Sequence, residues 1–332
     1  MRIAITGANG HVGAALCPLL LEQGHSLRLL VHRRSDGIAD LDAERVAGDL
    51  LDAGAVDRFV AGCDAVMHLA ARISIDSNND PLVPRVNVDG TRHIVQACLR
   101  HGVKRLVHVS SIHSYDSHPL DAPLDERRGA TRATAPAYDR SKAAADGVVL
   151  EAVSAHGLSA VILAPTSVFG PMDHGPSLMG RAIADLHNGK VPLLPPGGYD
   201  FVDVRDVAQA IAEALQRGAA GSKYLLSGSY RTVRELSAAV GRVAGRRTVQ
   251  RVAPIGLLRS LVPFFQLQAR LTGRTPLMTH EALTALLEGH PDIRSAKARA
   301  ELGFRPRPFE ETLADALDWQ RRAGMLIGSG PR

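Results

Sequence analysis

The chain has 332 residues, which is long enough for one large domain or two coupled domains. Hydrophobic residues make up 45% and charged residues 22%, so the composition is that of a globular protein and argues against disorder. The net charge of +5 comes from the arginine-rich last third, which we interpret as a solvated surface. Three scattered cysteines suit a reducing compartment, no apolar run could span a membrane, and no nucleic-acid or metal motif is present. We therefore expect a cytoplasmic protein that binds neither nucleic acid nor a metal.

Short β-rich runs alternate with helical stretches through the first half of the chain. The predicted strands lie within residues 2–6, 26–32, 44–50, 64–70, 105–111 and 159–165, and 223–228 resembles a further strand. Such alternation predicts a parallel sheet that helices cover on both faces. We therefore predict an α/β protein with a Rossmann-type, doubly wound sheet.

The residue composition changes after Pro165, where Pro- and Gly-rich loops begin. The last hundred residues are predicted to be helical with proline breaks. This predicts a smaller, mostly helical C-terminal substrate domain. The dinucleotide-binding domain is predicted at 1–165 and 201–229, the substrate domain at 166–200 and 230–325, and a flexible tail at 326–332. The apolar and basic stretch 255–273 is compatible with ordinary packing, a substrate lid or a membrane-surface helix.

A glycine-rich turn, TGANGHVG, lies between the first strand and the first helix. Gly7 permits the tight turn, Gly10 lets the backbone approach a pyrophosphate, and Gly13 lets the helix pack closely against the strand. The N–H groups at the helix start, near His11 and Val12, would then face the phosphates. The turn therefore predicts a dinucleotide cofactor.

The spacing G-x-x-G-x-x-G, with further motifs in order, resembles the extended branch of the short-chain dehydrogenase/reductase superfamily, also called the NAD-dependent epimerase/dehydratase family. The resemblance covers nearly the whole chain and is greatest to the group similar to dihydroflavonol reductase and 3β-hydroxysteroid dehydrogenase. The matching segments are GDLLD, HLAA, NVDGT, HVSS, APTSVFGP and FVDVRDVAQAI. The resemblance implies further cofactor contacts at Asp49, Leu50, Leu69, Ala70, Ala71, Pro165 and Val168. It also implies a homodimer.

The choice between NAD and NADP depends on the end of the second strand. An acid there binds the ribose 2′-OH of NAD, whereas an arginine favours the 2′-phosphate of NADP. His32 is followed by Arg33 and Arg34, without a carboxylate at this position. We therefore expect NADP(H) rather than NAD(H), with Arg33 as the first phosphate ligand, although both arginines could instead be solvated.

The segment YDRSK places Tyr138 and Lys142 four residues apart, on one face of a predicted helix. The pair matches the family's Y-x-x-x-K, and Ser111, the second serine of HVSS, matches its active-site serine. The resemblance implies that Ser111 orients a substrate oxygen and that Tyr138 donates the proton. Lys142, with the charge of the oxidised nicotinamide, would lower the pKa of the phenol and would also hold the ribose. The resemblance implies that Tyr138 contacts the cofactor as well. The three residues between Tyr138 and Lys142 are interpreted as spacers.

Reductases, epimerases and dehydratases of this branch share these residues, so only the residues that contact the substrate can distinguish these functions. Ala164 and Ser167 stand where nucleotide-sugar enzymes carry arginine and asparagine, and no acid pair follows Ser111. We therefore predict an NADP(H)-dependent oxidoreductase that reduces a small ketone or aldehyde to an alcohol, or catalyses the reverse. The alternatives are a nucleotide-sugar epimerase or dehydratase with tightly bound NAD(P), and a non-catalytic NADP-binding sensor.

Overall fold

The computed structural model of this chain describes residues 1–32, 36–73, 80–260, 262 and 279–327. Within these residues the strands are β1 Arg2–Thr6, β2 Ser26–Val31, β3 Glu44–Ala47, β4 Ala65–His68, β5 Arg105–Val109, β6 Ala160–Pro165, β7 Ser167–Phe169, β8 Gly198–Asp203, β9 Lys223–Leu226 and β10 Ser229–Thr232.

The helices alternate with these strands along the first part of the chain and predominate towards its end. They are α1 His11–Glu22, α2 Ala53–Val60, α3 Leu82–Pro84, α4 Gly90–Arg100, α5 Ala137–His156, α6 Leu178–His187, α7 Val204–Glu213, α8 Val233–Ala244, α9, which includes 255–260, α10 His280–Leu287, α11 Ala296–Leu302 and α12 Phe309–Arg322. The π-helical residues Arg85–Asp89 connect α3 to α4. Across the described ranges, no helix combines the length and the apolar character that a bilayer span requires.

A seven-stranded sheet has the order β3-β2-β1-β4-β5-β6-β9, and every neighbouring pair in it is parallel. The strand order progresses in one direction from β1 to β3 and in the other from β4 onwards. A crevice for a ligand therefore opens at the carboxyl ends of β1 and β4. The predicted fold class, a Rossmann-type parallel sheet, is confirmed.

Two apolar layers cover this sheet because its strands are buried on both faces. On one face α1, α7 and α11 pack with residues such as Leu16, Ile211 and Leu302. On the other face α2, α4 and α5 pack with residues such as Phe59 and Ile94. The buried runs of β-branched and aliphatic residues in the strands explain why the sequence pattern identified them.

A second, three-stranded sheet has the order β10-β8-β7, and α6, α8 and α12 pack against it. Residues 201–203 and Ser229, at the two ends of the segment that the sequence assigned to the return into the Rossmann domain, lie in β8 and β10 of this second sheet. The rest of that segment supplies α7 and β9 to the main layers. The exact domain boundaries stay a prediction. Most of the stretch 255–273 lies outside the described residues, as do residues 328–332 of the expected tail.

Candidate active site

The glycine-rich turn joins β1 to α1 at the carboxyl edge of the main sheet. Gly7 has a φ of +75°, and a Cβ atom there would lie 2.7 Å from the backbone nitrogen of Ala70. A Cβ at Gly13 would lie 2.3 Å from the carbonyl oxygen of Ala8. Gly10 is the N-cap of α1, and no side chain caps this helix start. The turn therefore keeps the backbone of the helix start open to an anion, which fits the pyrophosphate of a dinucleotide.

The side chains of the two residues that open α1 are engaged within the protein. The Nε2 atom of His11 lies 2.8 Å from the carbonyl oxygen of Pro171, so its imidazole is engaged with the loop after β7. Val12 packs against the apolar core beside α1. Neither side chain is therefore needed for the predicted phosphate contact, which the helix N–H groups would make.

The predicted contacts on the neighbouring strands lie beside this turn. The backbone N–H of Ala70, after β4, donates to Thr6 Oγ1 at 3.2 Å, which ties the ends of β1 and β4 together. Leu50 is buried, and a Cβ at Gly90 would lie 3.1 Å from the Cβ of Leu50. The glycine of NVDGT therefore makes room for Leu50. The other predicted residues of this edge are Leu69, half-buried, and Ala71, exposed.

The region expected to hold the adenosine contains a contact between a histidine and a carboxylate. His32, at the end of β2, places Nε2 3.3 Å from Asp49 Oδ2, and both side chains are about half exposed. Asp49 Oδ1 also accepts a hydrogen bond from the backbone N–H of Leu51 at 3.0 Å. Arg33 and Arg34, the predicted phosphate ligands, lie outside the described residues.

The segment after β6 connects the two sheets on the side expected for the nicotinamide. Pro165 is the last residue of β6, and Val168 lies in β7, where it pairs with Val202 of β8. Thr166 donates through Oγ1 to Asp200 Oδ1 at 2.7 Å, which links the residue after β6 to β8. Pro165 and Val168 are therefore held at the junction between the main sheet and the second sheet.

The structure brings the three predicted catalytic residues to the carboxyl end of β5. Ser111 begins a 3₁₀ turn two residues after β5, and its Oγ accepts the N–H of His113 at 3.3 Å. Tyr138 lies in the first turn of α5, and Lys142 lies one turn later. The ammonium of Lys142 donates to the carbonyl oxygen of Val109 at 2.8 Å. The arrangement provides a hydroxyl, a phenol and an ammonium at one sheet edge, while their catalytic roles stay a prediction.

Burial dominates the electrostatics of this group. Burial raises the pKa of Tyr138 to about 12, and its interaction with the Ser111 side chain acts in the opposite direction. Burial lowers the pKa of Lys142 to about 8, and the carboxylate of Asp146 opposes that shift. The chain's own groups therefore hold the phenol protonated at neutral pH, and the lysine does not by itself lower the pKa of Tyr138 below its usual value.

All three residues interpreted as spacers make specific contacts, so that interpretation was wrong. Asp139 Oδ1 lies 3.3 Å from His113 Nδ1, and the imidazole of His113 meets the ring of Tyr138 edge-on at 5.9 Å. Burial acts to lower the pKa of His113, but Asp139 outweighs it and the pKa is raised. Ser141 Oγ donates to the Tyr138 carbonyl at 2.7 Å and accepts from Asn87 Nδ2 at 2.9 Å. These contacts fix the first turn of α5.

Sequence reasoning missed one buried carboxylate on the same helix. Asp146 is 2% exposed and lies one turn beyond Lys142, and its Oδ2 is 2.7 Å from Nζ of Lys223 in β9. The repeated spacing of four from Tyr138 through Lys142 to Asp146 is the signal that could have found it. Searched over the described residues, the His, Cys, Asp and Glu side chains form no group of three or more suited to a metal ion.

The sequence profile of the NAD dependent epimerase/dehydratase family matches residues 3–227. The chain belongs to this family. It is 33% identical over 332 residues to "Sterol demethylase protein B" of Methylococcus capsulatus, across 98% of this chain and 100% of that protein. It is also 33% identical over 256 residues to the 2-alkyl-3-oxoalkanoate reductase of Stenotrophomonas maltophilia, across 73% of this chain and 76% of the relative.

Solved structures of the same family share this architecture. A double mutant of DesIV, the dTDP-glucose 4,6-dehydratase of Streptomyces venezuelae, was solved with NAD and DAU bound. It is 25% identical to this chain, with a TM-score of 0.79 over 98% of this chain and 99% of that one. Members of the family thus include reductases and dehydratases, and this chain is an NAD(P)-binding enzyme of the oxidoreductase type.

Proposed function

We propose that this family member is an NADP(H)-dependent oxidoreductase that reduces a ketone or aldehyde to an alcohol, or catalyses the reverse, with Tyr138 as the proton donor. The observation that carries the proposal is the grouping of Ser111, Tyr138 and Lys142 at the carboxyl end of β5. The glycine turn at the end of β1 lies on the same edge of the sheet. A cofactor on the turn and a substrate oxygen at the phenol would therefore meet at this edge.

The nicotinamide would supply the hydride for this reaction. Residues of the chain would orient the substrate and supply the proton. Ser111 would donate a hydrogen bond that orients the carbonyl oxygen, and Tyr138 would give that oxygen its proton. Because the pKa of Tyr138 is about 12 in the chain alone, the phenol keeps its proton until charge develops on the substrate oxygen. Lys142, held on the Val109 carbonyl, would favour the phenolate that remains.

The proposed preference for NADP(H) is supported by the chain's own charges after β2. Arg33 and Arg34 follow His32 directly, and the carboxylate of Asp49 is engaged with His32. Arginine side chains suit a 2′-phosphate through paired hydrogen bonds. We expect a KM for NADPH well below that for NADH in steady-state assays, and a strong preference for NADH would contradict this part of the proposal.

A nucleotide-sugar epimerase or dehydratase is the second candidate, and the likeness to the dTDP-glucose 4,6-dehydratase favours it. The chain's residues at the substrate side support it less. Ala164 is fully buried within β6, and Ser167 begins β7, where the nucleotide-sugar enzymes carry arginine and asparagine. A short alanine at that place offers no cation to a sugar diphosphate. The third candidate, a non-catalytic NADP-binding sensor, has less support because Ser111, Tyr138 and Lys142 are all present.

The deciding experiment follows NADPH absorbance across a panel of ketones, aldehydes and 3-oxo acids, with nucleotide sugars assayed in parallel. A reductase oxidises NADPH in proportion to the carbonyl compound consumed. An epimerase or dehydratase changes the sugar nucleotide with no net change in cofactor. Binding of NADPH without turnover of any compound would favour the sensor, and either of these last two results would overturn the proposal.

A further inference from the structure

A buried carboxylate that the proposed reaction does not use lies next to the proposed catalytic residues. Asp146 is 2% exposed and shares one face of α5 with Tyr138 and Lys142, because successive residues four apart lie one above another. Moving an unpaired carboxylate from water into a protein interior is costly, so such a group is normally retained with a cation that compensates its charge. The question is therefore which cation compensates the charge of Asp146.

Three side chains from two strands and from α5 itself face the carboxylate. Nζ of Lys223 in β9 lies 2.7 Å from Oδ2, and Lys142 lies one helical turn away. Nε2 of His108 in β5 lies 3.6 Å from Oδ1, which is longer than a hydrogen bond. Lys223 in turn lies over the ring of Tyr115, with Nζ 4.1 Å from the ring centroid.

The histidines of this region do not supply the compensating charge. The rings of His108 and of His68 in β4 lie 5.4 Å apart, both fully enclosed. Burial lowers the pKa of His108 despite the opposing effect of Asp146, and burial lowers the pKa of His68 further, with His108 and Lys142 adding to that shift. Both imidazoles are therefore neutral at neutral pH, and the cations that face Asp146 are Lys142 and Lys223.

Lys142 is the cation whose charge is in question. Burial lowers its pKa to about 8, so near this pH the ammonium is close to losing its proton, and the Asp146 carboxylate acts against that loss. A neutral amine at this position could no longer stabilise a phenolate at Tyr138. Its hydrogen bond to the Val109 carbonyl would also lose the strength that the positive charge gives it.

We propose that Asp146 is a positioning residue that keeps Lys142 charged and directed at the Val109 carbonyl, and that Lys223, the cation in contact with this carboxylate, limits this effect. The consequence for catalysis rests on the proposed function, whereas the effect on the charge of Lys142 does not. Asp146 and Lys223 carry opposite charges, so removing the carboxylate and removing the ammonium must shift the pKa of Lys142 in opposite directions.

The direct test is an NMR titration of the full-length protein labelled with isotopically enriched lysine. The chain contains five lysines, so the signals are few, and the one that disappears in Lys142→Arg belongs to Lys142. In Asp146→Asn the titration midpoint of Lys142 should fall by about one pH unit or more, because a neighbouring opposite charge, here one helical turn away, shifts a pKa by about that amount. In Lys223→Gln the same midpoint should rise.

A purely structural role would leave the midpoint of Lys142 unchanged in both variants, and that result would overturn the proposal. A rise in Asp146→Asn or a fall in Lys223→Gln would overturn it as well. If Asp146→Asn does not fold, Lys223→Gln decides alone, since its predicted shift has a definite sign.

The same variants separate this proposal from the proposed function. If the chain reduces carbonyl compounds, Asp146→Asn should lose about tenfold more of its kcat/KM at alkaline than at mildly acidic pH, which corresponds to a displacement of the alkaline limb by one pH unit. An equal fractional loss at every pH would overturn the link to Lys142. If no carbonyl compound is reduced but the midpoints move as described, the proposed function fails and the inference on Asp146 stands.

Discussion

Two clusters of buried charge in this chain differ in how completely their carboxylates are hydrogen-bonded. The arginine clamp consists of Asp203, Arg205, Asp206 and Arg307. The active-site cluster consists of His108, Lys142, Asp146 and Lys223. In the clamp, Asp203 accepts from Nε and Nη2 of Arg205 at 3.0 and 2.7 Å, and Asp206 accepts from Arg307 at 2.9 and 2.7 Å.

The active-site cluster is bonded far more sparsely. Asp146 has one short contact, to the ammonium of Lys223, and one longer contact, to the neutral imidazole of His108. Buried polar atoms of β5 and of the turn that follows it, within the chain as described, have no hydrogen-bond partner: Nδ1 of His108, Oγ of Ser110 and Ser114, and Oη of Tyr115. A fully hydrogen-bonded network stabilises one arrangement, whereas an incompletely bonded one can change its charge state. We therefore expect substitutions in the clamp to change stability and substitutions in the active-site cluster to change proton chemistry.

The largest effect on stability is expected from the clamp. Asp206 is buried, and it accepts the backbone N–H as well as the guanidinium of Arg307, which joins α7 to the segment before α12. Asp206→Asn should lower the free energy of unfolding by about 3 kcal/mol, at the low end for a broken buried pair because Arg307 is partly exposed. Urea denaturation measures this loss.

The matched control for the clamp is Asp315→Asn. The carboxylate of Asp315 also meets Arg205, at 2.7 Å, but it is 43% exposed, so its loss should cost less than about 1 kcal/mol. Neither variant should displace the pH profile of kcat/KM. A displaced profile in Asp206→Asn would remove the distinction between the two clusters.

A third carboxylate, Asp200, extends the comparison because it accepts hydrogen bonds but, among the residues that the structure describes, forms no ion pair. It accepts from Thr166 Oγ1 at 2.7 Å and from the N–H of Gly228 at 2.9 Å, yet burial raises its pKa to about 6. The folded state therefore holds this proton more tightly than the unfolded state does. The stability that this group contributes is present at low pH and is lost as the pH rises through about 6.

Asp200→Asn should remove that loss. The substitution should stabilise the protein more at alkaline than at acidic pH, by about 1 to 2 kcal/mol between roughly pH 5 and pH 8. Urea denaturation at the two pH values provides the comparison with the wild type. An equal effect at both pH values would mean that Asp200 is already ionised throughout this range.

The parts of the fold and site that could be predicted from the sequence are those that depend on local residue patterns. The strand at 2–6, the turn at Gly7 and the helix that contains Tyr138 each depend on a few consecutive residues, and each lies where the pattern predicts. The strands β7 and β10 were missed because three or four residues among prolines and glycines give no periodicity.

The parts that could not be predicted depend on residues far apart in the chain. Lys223 reaches Asp146 only because β9 joins the sheet beside β6, and His113 reaches Asp139 only because the turn after β5 packs on α5. The pKa of Tyr138 was expected to be lowered by Lys142 and the cofactor. In the chain itself burial raises it, and burial depends on tertiary packing that no local motif reports.

The central claim is that the phenol of Tyr138 gives its proton to the substrate, and Tyr138→Phe tests it most directly. The variant keeps the ring and should still bind NADPH in a fluorescence titration. Its kcat for the best carbonyl substrate of the panel should fall by about two to four orders of magnitude, the range of a positioned general acid.

The control is Tyr224→Phe, which removes a buried hydroxyl that donates to Glu301 at 2.6 Å and should leave kcat unchanged. A large loss of kcat with NADPH binding retained, in Tyr138→Phe alone, is the result that we predict. Turnover by Tyr138→Phe close to that of the wild type would contradict the account.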